Sequence, residues 1–395
     1  MPLSPIQPSD DAAPQPARTL PLPLDPLLTL AVIGLGICSI ATLAAATKNA
    51  IPGDPRYYVD RQIIYLVVGF IAMLVLSRVD YTVLSRFKNG IYIALLFSIV
   101  AVLGLGHSAK GSQRAISLPL FSFQASELGK VLLIVSLSAF VVERARNLRD
   151  RDTTIRVMIA ALIPAMFVIA QPDLGSGMVY MAIAYMLLFI AGSSWKHLAA
   201  LAALVVVSTA FVLAVAPAAG VHVLKHYQVE RLTAFLHPSE EGEFAYQQHE
   251  SKIAIGSGQK TGRGLNSDQT SNGFVPESHT DFIFAAVGER YGFVGAGLVL
   301  LLYGLLISRA LRILVMSKDL LGSLIAAGVA AMLMFQVFVN VGMTVGIMPI
   351  TGVTLPLLSY GGSSVITTML AVGLLQSIYV RARASQAMKG RVQRF

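Results

Sequence analysis

The chain has 395 residues, of which 55% are hydrophobic and only 13% are charged. A soluble domain carries about a quarter charged residues, so this composition excludes a soluble globular protein and indicates a chain mostly embedded in lipid. The net charge of +9 comes from Lys and Arg in short loops between apolar runs, a distribution that predicts membrane topology and not nucleic-acid binding.

Apolar runs predict about ten transmembrane helices, near 27–46, 63–77, 91–106, 124–142, 157–171, 174–192, 197–216, 282–308, 323–345 and 355–380. Residues 1–26, rich in Pro and Ala, predict a disordered cytoplasmic tail, and 381–395 predict a basic cytoplasmic tail. Most Lys and Arg outside the longest loop face the cytoplasm if both termini do. We therefore expect an all-α polytopic membrane protein whose domain, 27–380, carries a large extracytoplasmic loop, 217–281, between helices 7 and 8.

The first candidate site residues surround the predicted fourth helix. Arg114 lies in the outer loop before it, and Glu127 and Lys130 lie three residues apart near its start. On a helix these two share a face and can neutralise each other, and an unpaired charge in the bilayer is costly. The pair is therefore either a structural ion pair or part of an anion site together with Arg114.

The long outer loop is the place where chemistry is most plausible. Residues 244–255 predict a helix lying on the membrane surface, with a solvated connector as the alternative. The glycine-rich run 256–264 can bring backbone N–H groups close to an anion, and Lys260 and Arg263 add positive charge there. Such a run alone is more often a flexible turn.

Three ionisable residues end this loop, where the sequence reads Phe-Val-Pro-Glu-Ser-His-Thr-Asp-Phe-Ile-Phe-Ala over 274–285. Asp281 lies at the start of the next apolar helix, whose dipole favours an ionised carboxylate able to accept a proton. The alternative is that Asp281 only caps this helix. His279 is the second candidate base, and Glu277 is expected to orient donors or to help hold a divalent cation.

Glycine and proline interrupt the last part of the membrane domain, from Asn340 to Ser364. This pattern predicts non-helical backbone at membrane depth, which is tolerated only where protein or a water-filled cavity lines it. Transporters also use broken helices, so the feature does not choose an enzyme.

These motifs together resemble the SEDS family (shape, elongation, division and sporulation proteins, the RodA and FtsW group). The resemblance rests on the 274–285 segment, Gln-Ala-Ser-Glu-Leu-Gly-Lys over 124–130, Gln-Pro-Asp-Leu-Gly over 171–175, and the 340–364 segment, and it covers roughly 57–380. The chain departs from the usual family pattern at a few positions, which are Ala115, Ala125, Gln259, Ser267, Asp268 and Thr354.

The resemblance implies a peptidoglycan glycosyltransferase that polymerises lipid II with inversion, with Asp281 as the general base and a polyprenyl pyrophosphate leaving. It implies substrate or pyrophosphate contacts from Arg114, Glu127, Lys130, Lys260, Arg263, Gln269, Ser359 and Ser363. A separate class B penicillin-binding protein transpeptidase is the implied partner, besides membrane lipids. It implies no certain cofactor, and a divalent cation (Mg²⁺ or Mn²⁺) held by Glu277 and Asp281 beside a pyrophosphate stays open.

Several functions remain open from the sequence. The expected location is the bacterial cytoplasmic membrane, with the active site on its outer face. A lipid II flippase is the alternative, but few ionisable residues lie deep in the predicted helices beyond Glu127 and Lys130, which favours chemistry. A scaffold that recruits a transpeptidase could coexist with catalysis. The Asn-Val-Gly-Met and Ser-Tyr-Gly-Gly-Ser-Ser motifs look more like the elongation (RodA-like) branch than the division (FtsW-like) branch.

Overall fold

The computed structural model describes residues 24–392, with gaps at 52, 106, 110–111, 118–121, 148, 211–229, 232–233, 236–241, 265–266 and 272. Nearly all of the expected N-terminal tail, 1–26, and much of the long loop therefore lie outside the described residues. The helices in chain order are α1 (Pro26–Ala46), α2 (Tyr57–Arg78), α3 (Tyr81–Arg86), α4 (Lys88–Leu105), α5 (Ala125–Glu143), α6 (Arg151–Ala170), α7 (Leu174–Ile190), α8 (Trp195–Ala210), α9 (Glu243–Ser257), α10 (Asp268–Ser271), α11 (Ile283–Met316), α12 (Leu320–Val345) and α13 (Gly362–Val392).

The apolar helices agree with the predicted all-α membrane class. Seven of them (α1, α2, α5, α6, α11, α12 and α13) are long and apolar enough to cross a membrane, and α4, α7 and α8 are apolar but shorter. Each of the ten predicted spans overlaps one of these helices, while the number that cross the bilayer stays a prediction. A short 3₁₀ helix, Ala145–Asn147, lies between α5 and α6.

The last helix starts and ends later than the predicted membrane span. It was expected over 355–380, but α13 begins at Gly362 and continues to Val392, so most of the expected tail 381–395 is helical. The preceding residues cannot be helical because Leu357 has a φ of +66° and Gly352 a φ of +74°, a left-handed conformation outside the helical region.

A small antiparallel sheet was not predicted. It joins β1 (His107–Ala109), β2 (Ser112–Ser117) and β3 (Ser122–Phe123) in the order β1-β2-β3, between α4 and α5. β1 and β3 have only three and two residues, and the six residues of β2 do not alternate between apolar and polar, so no strand pattern is present.

Small residues let the long helices approach closely, as is common in membrane bundles. A Cβ on Gly69 of α2 would lie 2.8 Å from Met369 of α13, and one on Gly328 of α12 would lie 2.8 Å from Ile134 of α5. A buried ion pair between Arg309 of α11 and Asp25, the N-cap residue of α1, joins two further helices.

The long helix α11 is broken at Gly292, where φ is +63° and ψ is −160°. The glycine-rich run before it fills the break: Phe293 and Val294 donate N–H bonds to the carbonyls of Gln259 and Lys260, at 2.9 and 3.1 Å. The backbone groups freed by the break are thus paired with protein, as lipid surroundings require.

Candidate active site

The turn that precedes α11 is fixed at three consecutive carbonyls. The carbonyl of His279 accepts the Tyr360 N–H at 2.8 Å, and that of Thr280 accepts the Ser359 hydroxyl at 2.6 Å. The carbonyl of Asp281 accepts the buried Asn340 side-chain amide at 2.8 Å. Because these donors come from α12 and from the segment that follows it, residues far apart in sequence set the position of Asp281.

Asp281 is not the N-cap residue of the helix. That position belongs to Phe282, and α11 starts at Ile283. Asp281 therefore lies one residue before the N-cap position that the capping alternative assigns to it.

The Asp281 carboxylate faces a small space above Gly352. A Cβ built on this glycine would lie 3.3 Å from Asp281 Oδ2 and 3.6 and 3.8 Å from the two terminal nitrogens of Arg231. The φ of +74° at Gly352 also disfavours any side chain there. The sequence did not single out Arg231, since it is one of several cations in a loop without a recognisable pattern.

Glu277 and His279 lie in the same turn as Asp281, and their side chains contact its neighbours. The Glu277 backbone is in the left-handed region, with φ +54°, and its carboxylate accepts the Thr280 hydroxyl at 3.0 Å. The His279 ring packs on Tyr58 of α2, with centroids 4.7 Å apart, and lies 6.0 Å from the Tyr360 ring. This aromatic cluster was not predicted, because only the fold brings the start of α2 next to Tyr360.

The 124–130 and 171–175 motifs contact each other, and the second of them contacts the Gly352 segment. Asp173 caps α7 through the Ser176 N–H at 3.1 Å and accepts the Ser126 hydroxyl at 2.8 Å. A Cβ on Gly175 would lie 2.9 Å from the Thr351 carbonyl, next to Gly352. The 171–175 motif therefore packs directly against the segment that contains Gly352, and the 124–130 motif packs against the 171–175 motif.

Glu127 and Lys130 form a buried ion pair on α5. Lys130 Nζ lies 2.6 Å from Glu127 Oε1, and the side chains are only 2% and 6% exposed, respectively. The predicted pairing on one helix face is present, and burial makes the mutual neutralisation of these charges important.

The remaining predicted cations lie elsewhere or cannot be described. Lys260 and Arg263 are exposed beside the α11 break at Gly292, which by helical rise is about 15 Å along the axis from Asp281. Arg114 lies on β2, but its side chain is outside the described residues.

The other predicted polar residues act through backbone contacts. The Ser359 hydroxyl also accepts the Leu355 N–H at 2.8 Å. The Ser363 hydroxyl donates to the Ser122 carbonyl at 2.7 Å and accepts the Gln124 N–H at 3.0 Å. Gln269 donates its N–H to the fully buried carboxylate of Glu289 at 2.9 Å. Glu289 was missed, although an acid inside an apolar helix is itself a signal.

Within the described part of the chain, no three His, Cys, Asp or Glu residues are grouped to hold a metal ion. Glu277 and Asp281 would supply two carboxylates at most. A divalent cation would then need further oxygen ligands from a phosphorylated substrate, which is common for Mg²⁺.

Comparisons with known proteins agree on one family. A family model described as "Cell cycle protein" (FtsW, RodA, SpoVE) matches residues 24–384. Stage V sporulation protein E of Bacillus subtilis is 32% identical, over 91% of this chain and 97% of its own. A probable peptidoglycan glycosyltransferase FtsW of Thioalkalivibrio sulfidiphilus is 34% identical over 95% and 94%. Peptidoglycan glycosyltransferase MrdB of Escherichia coli is 33% identical over 91% and 94%.

Two solved structures have the same fold. A chain from a peptidoglycan synthase complex, studied for the coordination of polymerization and crosslinking, aligns with a TM-score of 0.77 at 29% identity, covering 91% of this chain and 99% of that chain. The rod shape determining protein RodA of Thermus thermophilus aligns with a TM-score of 0.66 at 27% identity, covering 92% and 97%.

Proposed function

This chain belongs to the SEDS family of FtsW, RodA and SpoVE proteins, and from that premise we propose that it polymerises lipid II into glycan strands on the outer face of a bacterial cytoplasmic membrane. Its enzyme class is peptidoglycan glycosyltransferase, as named for its relatives at 33% and 34% identity. The observation that carries the proposal is the clamped turn, which holds the Asp281 carboxylate against a space kept open by Gly352.

In the proposed reaction, a sugar 4-hydroxyl of one lipid II attacks the anomeric carbon of another. Asp281 takes the hydroxyl proton as the new glycosidic bond forms, and the bond from the anomeric carbon to the pyrophosphate oxygen breaks with inversion. The electron pair stays on the leaving polyprenyl pyrophosphate, whose charge needs cationic or N–H donors. The three clamped carbonyls hold the base in place and thereby reduce the cost of orienting it.

The other site residues divide between substrate contacts and support. Arg114 and Lys130 are proposed to face a substrate pyrophosphate, with Glu127 holding Lys130, and Lys260 and Arg263 offer a second basic surface beside the α11 break. Ser359, Ser363 and the Gln269 backbone position the loops around the site through the contacts described above. A Mg²⁺ or Mn²⁺ ion bound with Glu277 and Asp281 would supply further charge neutralisation to the pyrophosphate.

A lipid II flippase is the second candidate, and the buried ionisable groups bear on it. Besides Glu127 and Lys130, the described helices bury Glu289 and the Asp25–Arg309 pair. Each of these groups has a protein partner, which disfavours a continuous charged path through the bilayer.

The partner and the branch are also proposals. We propose a class B penicillin-binding protein as the transpeptidase partner, which is supported by the similarity to a chain from a synthase complex. We propose that the chain belongs to the elongation branch, and this proposal rests on the C-terminal motifs alone. Relatives named SpoVE, FtsW and MrdB match at 32–34% identity and therefore do not separate the branches.

The test is a reconstitution of the purified chain, with its cognate transpeptidase, in vesicles that contain fluorescent lipid II. The account predicts glycan strands resolved as a ladder on gels, in the absence of any other glycosyltransferase. Translocation of lipid II without polymer would favour the flippase, and neither activity would leave the scaffold.

A further inference from the structure

Two contacts within the protein hold the Arg231 side chain in place without any substrate. Its Nη1 donates to the Thr351 carbonyl at 3.1 Å, and its guanidinium lies 4.9 Å from the centroid of the Phe244 ring of α9. Both contacts restrain a long side chain that would otherwise lose considerable entropy on binding a ligand. The guanidinium is therefore positioned in advance.

The backbone at Gly352 leaves a small space next to both Arg231 and Asp281. The point 3.3 Å from Asp281 Oδ2 and 3.6 Å from Arg231 Nη1 is where a Cβ of residue 352 would be, and Gly352 leaves it open. The Asn340 amide links the two backbone segments at this space, because it donates to the carbonyl of Asp281 and also to the carbonyl of Val353 at 2.7 Å. The Asp281 carboxylate and the Arg231 guanidinium thus both lie within contact distance of the position that a Cβ of residue 352 would occupy.

The geometry of the proposed reaction needs such an arrangement. In an in-line displacement, the attacking hydroxyl and the leaving group lie on opposite sides of the anomeric carbon. The general base and the cation that neutralises the leaving group must therefore both lie close to the reacting atoms, and Asp281 and Arg231 both lie next to the Gly352 position. Lys130 is buried against Glu127, and Lys260 and Arg263 are exposed beside the α11 break, whereas Arg231 lies next to the same Gly352 position as Asp281.

We propose that Arg231 binds the pyrophosphate of the lipid-linked sugar donor, beside Asp281. This inference rests on the proposed glycosyl transfer and names a residue for its leaving group. Guanidinium suits the role because its five N–H donors form a rigid fork that can contact a carboxylate and a phosphate at once. As the bond from the anomeric carbon to the phosphate oxygen breaks, its electron pair goes to the pyrophosphate beside Arg231, and the hydroxyl proton goes to Asp281.

The test measures product binding directly. A fluorescent polyprenyl pyrophosphate is titrated into the purified full chain with its transpeptidase, and the same lipid with a single phosphate serves as a second probe. We expect Arg231→Gln to weaken pyrophosphate binding about tenfold or more, which corresponds to the loss of a charged hydrogen bond. Arg231→Lys should bind closer to wild type, and the monophosphate should discriminate less between the variants.

Lys252→Ala is the matched control. Lys252 is an exposed cation on α9, the helix that carries Phe244, and its side chain packs over Gly346 and not over Gly352. It should bind pyrophosphate like wild type, so that a general loss of surface charge is excluded. Glutamine keeps a side-chain N–H for Thr351, and thermal unfolding of each variant confirms that the binding data come from folded protein.

Each outcome has a separate meaning. Unchanged pyrophosphate binding by Arg231→Gln, with a wild type that makes glycan, would overturn this inference and leave the proposed function intact. A lower turnover at unchanged product binding would assign Arg231 to Asp281 alone and would also overturn it. A wild type that binds pyrophosphate through Arg231 but makes no glycan would overturn the proposed function instead.

Discussion

Removing one member of the Glu127–Lys130 pair should cost more stability than removing both. The Nζ–Oε1 distance is 2.6 Å and the side chains are only 2% and 6% exposed, so a single neutral substitution leaves the other charge buried without compensation. Such a change costs about 3–5 kcal/mol, whereas replacing both charges by uncharged groups of similar volume is often close to neutral. We therefore expect Lys130→Met and Glu127→Gln each to destabilise strongly and the double variant to recover most of the loss.

The assay is unfolding in detergent, by heat or by denaturant, for the wild type, the two single variants and the double variant. The double-mutant cycle isolates the interaction free energy between the two charged side chains. A double variant as unstable as the sum of the single variants would refute the reasoning, because the pair would then not be neutralising buried charge. If the double variant is stable, its rate of lipid II polymerisation tests the proposed contact between Lys130 and the pyrophosphate. We expect this rate to stay low.

Three further changes have defined outcomes. Arg309→Met leaves the fully buried Asp25 carboxylate without its guanidinium and should lower the unfolding free energy by about 3–5 kcal/mol; an unchanged unfolding midpoint would contradict the pairing. Burial raises the pKa of Asp80, but the Thr82 N–H and hydroxyl and then Arg381 outweigh it and lower that pKa below its ordinary value. The ionised Asp80 therefore stabilises the folded state above its unfolded pKa of about 4, and this stabilisation is lost as pH falls through its lowered folded-state pKa. In Asp80→Asn, the unfolding temperature should therefore fall less steeply at acidic pH than in the wild type. Gly352→Ala, at φ +74°, should cost roughly 1 kcal/mol in strain and reduce turnover far more, since its Cβ enters the gap beside Asp281; normal turnover would show that the gap is not used.

Local patterns were enough to predict most of the fold. Long apolar runs located the helices because a membrane span needs about 20 apolar residues. The start of α2 at Tyr57 was set six residues too late, because its first turns carry Asp60, Arg61 and Gln62 and look like a loop on hydropathy alone. The break at Gly292 was not predicted, because it depends on the glycine-rich run packing into it.

The site divides in the same way. The sequence singles out Asp281, Glu277 and His279 as candidates because one short segment holds all three. Arg231 and the Tyr58–Tyr360 contact were missed, since they reach the site from distant parts of the chain and no local spacing records them. The Ser359 hydroxyl fixes the turn, a role that depends on the tertiary position of the Thr280 carbonyl, while its predicted substrate contact stays a prediction.

The most direct measurement of the central claim is the rate of lipid II polymerisation by Asp281→Asn with its transpeptidase. Asparagine keeps the size of the side chain and leaves the Asn340 bond to the backbone carbonyl of residue 281 in place, so the variant should fold like wild type. The account predicts a loss of at least about 100-fold, the usual contribution of a general base. A folded Asp281→Asn that polymerises at the wild-type rate would contradict it and would move the search for the base to His279.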